Sequence, residues 1–192
     1  ERIVTKRNEK YWKPNRPYMD AIEFAIIPEL TTGARSVTAG QNDLIYQRPP
    51  RQKATVERSP RLKGATGPTL YVFQIFLNWG KPPFHDVRVR QAFNFAIDRE
   101  AFVKASLAGL AEPAYMNLPK AHWAYDKSVA GLYPYNPDKA KQLLAEAGFK
   151  DGLPIDLIGY PDQDSVQRQE ILIEQFRKAG MNVKFSNAPI AE

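Results

Sequence analysis

The sequence predicts an α/β fold with mixed sheets and flanking helices, and three stretches indicate this class. Residues 70–78 (LYVFQIFLN) carry apolar side chains on both faces, which is typical of a buried strand. Residues 87–109 hold two apolar stripes with helical spacing, each behind an aspartate that can cap a helix. Residues 155–185 alternate strand, helix and strand with short connections, which predicts a right-handed βαβ unit with a parallel strand pair.

Length and composition place the chain among ordinary globular proteins. Its 192 residues are enough for one large core or two small ones. The chain has no cysteine, which excludes disulfides, thiolate metal sites and cysteine nucleophiles. No run approaches the roughly 18 consecutive apolar residues of a membrane span. Because the chain opens at Glu1 in a strand-like run, we expect either that a leader was removed or that it is a piece of a longer protein.

The most organised stretch begins at Lys81 and contains the first of two predicted helices. Pro82 and Pro83 predict an extended approach, because the residue before a proline is kept out of the helical region. Asp86 can then accept hydrogen bonds from the free N–H groups of the first helical turn. The positions i, i+3, i+4, i+7 and i+8 form one apolar face, namely Val89, Ala92, Phe93, Ala96 and Ile97.

The second helix of this stretch repeats the same design after a tight corner. Asp98 is placed to cap it, and Gly109 suits a left-handed exit from its last turn. The side chains expected on its buried side are Val103, Leu107 and Leu110. The stretch therefore predicts helical structure over residues 87–109, interrupted once.

The N-terminal third is predicted to contain strands and a short helix. Alternating apolar residues indicate strands over residues 1–7 and 21–27. A short helix should follow, capped by Thr31 or Thr32, because hydroxyl side chains are common N-caps. After this helix, residues 43–46 are predicted to form another strand.

Two further helices are marked near the C-terminus. Asn136 is expected to cap a helix over residues 137–147, with Pro137 at its first position, where proline is favoured. Its apolar stripe is Ala140, Leu143, Leu144 and Ala147. The last helix, inside the βαβ unit, is expected to be capped by Ser165 or Asp164.

Most of the net charge of +6 comes from a basic loop at residues 48–63. Its cations are Arg48, Arg51, Lys53, Arg58, Arg61 and Lys63, against the single acid Glu57. A basic patch can bind nucleic acid. This loop has three prolines and no interleaved aromatic residues, so the favoured interpretation is a solvated basic loop.

Two strings of residues carry a resemblance to a known family. They are PPFHDVRVRQAFNFAIDRE at residues 82–100 and NPDKAKQLLAEAGF at residues 136–149. Both are similar to segments of bacterial extracellular solute-binding family 5, the periplasmic solute-binding proteins of ABC importers for peptides, nickel complexes and related solutes. The resemblance implies a periplasmic-binding-protein-like (type II) fold. It also implies a non-catalytic protein that binds a solute in a cleft between two lobes.

Family members are much longer, so the resemblance implies that this chain covers a middle portion of an incomplete two-lobed architecture. Residues 1–69 would belong to the first lobe. Residues 70–192 would form a strand that crosses between the lobes, followed by the first half of the second lobe. We expect this chain alone to bind a family ligand poorly, because closure of two lobes is what buries the solute.

The crossing strand supplies the first candidate binding residues. On the resemblance, Gln74 and Phe76 share the face that looks into the cleft, and Asn78 lies at the end of the strand. An unpaired amide on a buried strand is costly, which favours the cleft for Gln74. The alternative is an ordinary core strand, and we adopt it for Phe73, Ile75 and Leu77.

The irregular loop at residues 110–125 supplies the other candidates. In the family a similar loop runs beside the cleft, and the matching residues here are Tyr115, Asn117, His122 and Trp123. The alternative is that Trp123 simply anchors a long loop. A lone histidine such as His122 is also more often hydrogen-bonded than a metal ligand.

The sequence contains no pattern typical of an active site, a phosphate-binding loop or a metal site, so we predict no enzyme, no metal and no cofactor. The predicted partners are an oligopeptide or similar solute and an ABC permease, with a periplasmic location. Exposed strand edges could also drive self-association. Two alternatives remain open, namely an interaction or structural module without transport, and a nucleic-acid binder that uses the basic loop.

Overall fold

The chain divides into two units, residues 1–64 and 65–192. A computed structural model describes residues 1–46, 52–67 and 69–188. The predicted boundary between residues 69 and 70 concerns the two lobes of the resembled fold, and it stays a prediction.

The first unit is built on an antiparallel strand pair, as the alternating residues predict. β1 (Arg2–Lys6) pairs with β2 (Ala21–Ala25). Because side chains alternate across a strand, one face of the pair is apolar and the other is charged. The charged face carries an ion pair between Arg2 and Glu23 at 2.5 Å. The apolar face, which stays about half exposed, holds Ile3, Ile22 and Phe24.

The helix that follows is capped by a different residue from the ones predicted. α1 (Leu30–Thr38) begins two or three residues earlier than expected, so Thr31 and Thr32 lie inside its first turn and cannot be its cap. The carboxylate of Glu29 accepts hydrogen bonds from both of their backbone N–H groups instead. The prediction of a threonine cap is therefore wrong.

The strand predicted at Asp43–Tyr46 is also absent. This stretch pairs with no other strand of the described chain, and the side chains of Leu44 and Tyr46 are well exposed. In the basic loop, residues 48–51 lie outside the described residues. The rest of it contains a short helix, α2 (Lys53–Glu57), whose two ends form an ion pair at 3.7 Å.

The second unit contains four helices and one strand pair in its described part. In chain order these are α3 (Val87–Ala96), α4 (Arg99–Leu107), α5 (Pro137–Glu146), β3 (Leu153–Gly159), α6 (Gln163–Lys178) and β4 (Met181–Asn187). β3 and β4 are parallel, with Ile155 opposite Val183, which confirms the predicted parallel pair around a helix.

One apolar core joins α3, α5, α6 and the strand pair. At its centre the ring of Phe93 lies 5.1 Å from that of Phe176 and 5.6 Å from that of Phe84, measured between centroids. The buried residues around them include the predicted helix stripes, namely Val89, Ala92, Ala96, Ala140, Leu143 and Leu144. Helical spacing in the sequence therefore identified the core correctly.

Of the four helix caps predicted in the second unit, three are confirmed. Asp86 accepts from the N–H of Arg88, Asp98 from that of Ala101, and Asn136 from that of Lys139. The fourth prediction is wrong, because α6 begins at residue 163 and its cap lies before it. Asp162 caps the helix and accepts a hydrogen bond from the N–H of Ser165, so neither Ser165 nor Asp164 does so.

Two details of the stretch after Lys81 differ from expectation. Residues 81–86 form turns and not an extended approach, because the carbonyl of Lys81 accepts from the N–H of Phe84. Leu110 is exposed, since Ala108 and Gly109 both adopt left-handed conformations and turn the chain away from the stripe of α4. Leu107 is buried and Val103 half-buried, as predicted.

Candidate ligand-binding surface

The segment Leu70–Asn78 lies outside any helix or strand and so does not form the predicted buried strand. It has no strand partner among the described residues, so its backbone lacks the ladder that defines a sheet. Ile75 and Leu77 pack against the core of the second unit, whereas Phe73 is exposed. The core interpretation is therefore right for two of the three residues that it covered.

The remaining predicted residues of this segment point away from the core. Gln74, Phe76 and Asn78 are all exposed, as alternation from Ile75 and Leu77 requires. The argument that placed Gln74 in a cleft assumed a buried amide side chain. This amide is exposed, so that argument is wrong. In the sequence of this segment an exposed aromatic residue nevertheless lies between two exposed amides.

The loop at residues 110–125 is irregular, as predicted, and Tyr115 is tied into the fold. The guanidinium of Arg99 lies 5.4 Å from the centroid of the Tyr115 ring, and its Nε donates to the carbonyl of Ala114 at 3.0 Å. Partial burial lowers the pKa of Arg99, and the neighbouring Tyr115 opposes that shift. Tyr115 is half-buried by this contact, while Asn117 is exposed.

The last two predicted residues form a stacked pair. The rings of His122 and Trp123 lie 5.5 Å apart with 29° between their planes. The Nδ1 of His122 accepts a hydrogen bond from the backbone N–H of Ala124 at 3.1 Å, so it is engaged in the turn. The half-buried ring of His122 thus packs against the exposed ring of Trp123.

An ion pair links the start of the loop to the residues just before this stack. The Nζ of Lys120 lies 2.8 Å from the carboxylate of Glu112. This hydrogen bond raises the pKa of Lys120, which stays charged. Both side chains are exposed, so their interaction contributes little stability and is weakened by salt.

Phe76 and Trp123 share an uncommon property. Their side chains are 87% and 92% exposed, more than any other large apolar side chain in the described residues. Aromatic side chains bury a large area when they contact a partner, so these two rings are candidates for an interaction surface. No ring contact joins the two in the described part of the chain, so they form two separate portions of a candidate surface.

Sequence reasoning missed Arg99. It occupies the first position of α4, where a positive charge is unfavourable because of the helix dipole. Its side chain instead reaches the last carbonyls of α3, where a cation is favourable. A cation at the unfavourable end of a predicted helix was the signal that could have identified it.

Comparison with known proteins decides the family. The family model described as bacterial extracellular solute-binding proteins, family 5 Middle, matches residues 1–191. The chain belongs to this family. The resemblance carried by residues 82–100 and 136–149 is thereby confirmed, and so is the type II periplasmic-binding-protein-like fold.

Individual members of family 5 show how far the similarity extends. Heme-binding protein A of Haemophilus influenzae is 34% identical over 179 residues, which are 91% of this chain and 32% of that protein. Glutathione-binding protein GsiB of Escherichia coli O1:K1 is 31% identical over 166 residues, 86% of this chain and 32% of that protein. This chain thus spans about a third of the length of the curated relatives it matches, and both are named as binding proteins.

Solved structures agree with the family 5 assignment. The oligopeptide-binding protein AppA of Bacillus subtilis, determined in complex with a nonapeptide, is 30% identical. It superposes with a TM-score of 0.77 over 97% of this chain and 40% of its own. The fold class predicted from the sequence, with mixed sheets and flanking helices, is therefore correct.

Other features of this family 5 chain lie away from the predicted surface. A depression of about 320 Å³ is lined by the α5 residues Lys141 and Leu144, by residues 149–152 and by Gly180 and Asn182. It contains none of the predicted binding residues. In the described ranges there is no group of three potential metal ligands, and no helix has the length and apolar character to cross a bilayer.

Proposed function

We propose that this chain is part of the solute-binding component of an ABC importer and that it captures a peptide-type solute without chemical conversion. The observation that carries the proposal is the family 5 match over residues 1–191. The relatives are named for binding heme and glutathione, and one structural neighbour holds a nonapeptide. The proposed solute is therefore an oligopeptide or a molecule of similar size.

The proposed binding surface consists of the seven predicted residues, namely Gln74, Phe76, Asn78, Tyr115, Asn117, His122 and Trp123. Ligand sites combine aromatic walls with a few directed polar groups. Amide side chains supply both donors and acceptors, which suits the backbone of a peptide. The exposure of Phe76 and Trp123 supports their assignment, because each ring is free to cover a solute.

The proposed setting follows from the family. We propose a periplasmic location and an ABC permease as the membrane partner, because the family is described as extracellular and solute-binding. Nucleic acid is not a proposed partner. The nucleic-acid alternative would require binding through residues 48–63 that falls steeply with salt, so a salt titration of DNA binding separates it from solute capture. An interaction module without transport would bind no solute.

We also propose that the segment Leu70–Asn78 promotes self-association of this chain. It belongs to no helix or strand, lacks a strand partner among the described residues and contains no charged residue, proline or glycine. Unpaired edges of that composition are those that pair with other chains. Sedimentation velocity at rising concentration should show dimers or larger species. A strictly monomeric profile would contradict the proposal.

Solute capture is tested by nuclear magnetic resonance, because we expect weak binding by this chain alone. The isotope-labelled chain is titrated with reduced glutathione, hemin, the dipeptide Met-Leu and a nonapeptide, each to millimolar concentration. We expect at least one of them to shift the amide signals of residues 74–78 and 115–123. Shifts confined to other residues would refute the surface, and no shifts at all would refute the proposed function.

A pair of tryptophan variants provides the matched control. Trp123 is 92% exposed and Trp12, in the first unit, is 76% exposed, so neither substitution should disturb a core. Trp123→Ala should weaken binding of the active probe by about tenfold, the scale of one lost aromatic contact. Trp12→Ala should leave binding unchanged, and equal effects would count against a specific surface.

A further inference from the structure

Arg99 links three parts of the second unit that are separate in sequence. Its Nη1 donates to the carbonyls of Asn94 and Ile97 at 3.2 and 3.4 Å, where α3 ends. Its Nη2 donates to the side-chain oxygen of Asn94 at 2.9 Å, and its Nε donates to the carbonyl of Ala114 at 3.0 Å. One guanidinium therefore joins the end of α3 to the loop at residues 110–125 across the start of α4.

The contact with the loop continues into the candidate binding surface. Tyr115 directly follows Ala114, and the Arg99 guanidinium lies 5.4 Å from the centre of its ring. A guanidinium near an aromatic ring attracts it through the ring quadrupole, more strongly when the pair is partly desolvated. The ring is consequently held next to the guanidinium, and it stays partly accessible to a ligand.

The charge of Arg99 has no carboxylate partner within ion-pair distance in the part of the chain that the structure describes. Carbonyl oxygens, an amide and a ring surround it instead. Such an arrangement uses the planar fork of arginine, which places several N–H groups in fixed directions. Lysine carries the same charge but cannot reach these acceptors together, so the geometry depends on the guanidinium.

We propose that Arg99 is the positioning residue of the binding surface. It fixes the segment at Ala114 and Tyr115 against the junction of α3 and α4, and so sets where the Tyr115 ring is presented to the solute. Arg99 itself does not contact the solute. The inference rests on the proposed solute-binding function, but it makes a claim about the loop that can be tested without any solute.

The test without solute is nuclear magnetic relaxation of the whole chain, which gives an order parameter for each backbone amide. In Arg99→Met the order parameters of residues 114–117 should fall from about 0.85 to below about 0.6, the values of rigid and flexible backbone. The order parameters of the α5 core residues 140–144 should stay unchanged. Arg99→Lys should resemble Arg99→Met and not the parent chain. A uniform fall across α3, α5 and α6, or no change at residues 114–117, would overturn the proposal.

The test with solute uses reduced glutathione and a double-mutant cycle. Arg99→Met and Tyr115→Leu should each weaken glutathione binding by roughly tenfold, and the double variant should bind no more weakly than Tyr115→Leu alone. Additive losses would overturn a role that acts through Tyr115. Tyr46→Leu makes the same change at an exposed position in the first unit and should bind like the parent chain.

The two tests separate failure of this inference from failure of the proposed function. If the parent chain binds no glutathione, solute capture of that class is refuted and the relaxation test alone decides on Arg99. If Arg99→Met does not fold, Asn94→Ala takes its place, because it removes one acceptor of Arg99 and leaves the other three. It should lower the order parameters of residues 114–117 by a smaller amount, and unchanged order parameters there would overturn the proposal.

Discussion

The two units of this chain differ in what stabilises their secondary structure. In residues 65–192, helices and strands enclose a core in which Phe176 is 1% exposed. In residues 1–64, the apolar face of the β1–β2 pair stays open, and Phe24 is 50% exposed. All of the buried hydrophobic residues in the described ranges lie in the second unit.

This difference teaches that regular structure and burial need not coincide. The β1–β2 pair is held by its hydrogen-bond ladder and by exposed ion pairs such as Arg2 with Glu23. Exposed ion pairs contribute little, and an isolated two-stranded pair is at best marginally stable in water. The helices of the second unit combine similar local capping with burial, so their free energy of unfolding should be larger than that of the β1–β2 pair.

The largest expected effect comes from removing one phenylalanine from each unit. Phe176→Ala deletes a fully buried ring beside Phe93 and should lower the free energy of unfolding of the second unit by about 3–5 kcal/mol. Phe24→Ala should cost much less, about 1 kcal/mol or below, because half of that ring is already in water. Urea unfolding followed by circular dichroism measures both.

Equal losses of unfolding free energy for Phe176→Ala and Phe24→Ala would contradict this difference between the two units. A large loss for Phe24→Ala would mean that the apolar face of β1–β2 is covered in solution. Conversely, a small loss for Phe176→Ala would mean that the core of the second unit is loosely packed. Tyr46→Ala, in the first unit at a well-exposed position, serves as a control that should change neither transition.

The second prediction concerns the cap between α3 and α4. Asp98→Ala removes the acceptor for the N–H of Ala101 and should lower the free energy of unfolding by about 1 kcal/mol. Asp98→Asn keeps an acceptor oxygen and should cost only a few tenths of that, since both residues are good N-caps. Urea midpoints of the two variants check it, and equal losses would show that charge and not capping matters.

The second unit could be predicted well because its signals are local. Asp86, Asp98 and Asn136 stand directly before apolar stripes, and each one caps its helix in the structure. The spacing of the stripes then identified the buried face. Capping and helical periodicity involve residues within a few positions of each other, so sequence alone contains the needed information.

Prediction was weaker wherever the outcome depends on a distant partner. Leu70–Asn78 has the composition of a buried strand, yet strand formation requires a neighbouring strand that no local pattern reveals. The role of Arg99 depends on Ala114, fifteen residues further on, and its acceptors are backbone atoms without a sequence signature. The wrong caps of α1 and α6 are smaller errors, because a shift of the helix start by two or three residues changes which side chain lies at its end.

The smallest expected difference between the two units is their response to acid, which involves one carboxylate that caps a helix in each unit. Hydrogen bonds from Thr32 and Thr31 lower the pKa of Glu29 from 4.5 to about 2. Hydrogen bonds from Arg88 lower the pKa of Asp86 from 3.8 to about 2. Because each folded pKa lies below its ordinary value, the carboxylate stabilises the fold above that value. This contribution is lost as the pH falls through about 2.

We therefore expect amide exchange in α1 to rise as the pH falls from about 4.5 to about 2. Exchange in α3 should rise less, because burial still stabilises that helix after its cap is protonated. Glu29→Gln and Asp86→Asn keep an acceptor oxygen but cannot titrate, so exchange corrected for its intrinsic pH dependence should no longer change with acid in the helix concerned. Both carboxylates are solvent-accessible, and added salt should reduce the effect. An acid response in α3 as large as that in α1 would show that burial does not protect the second unit.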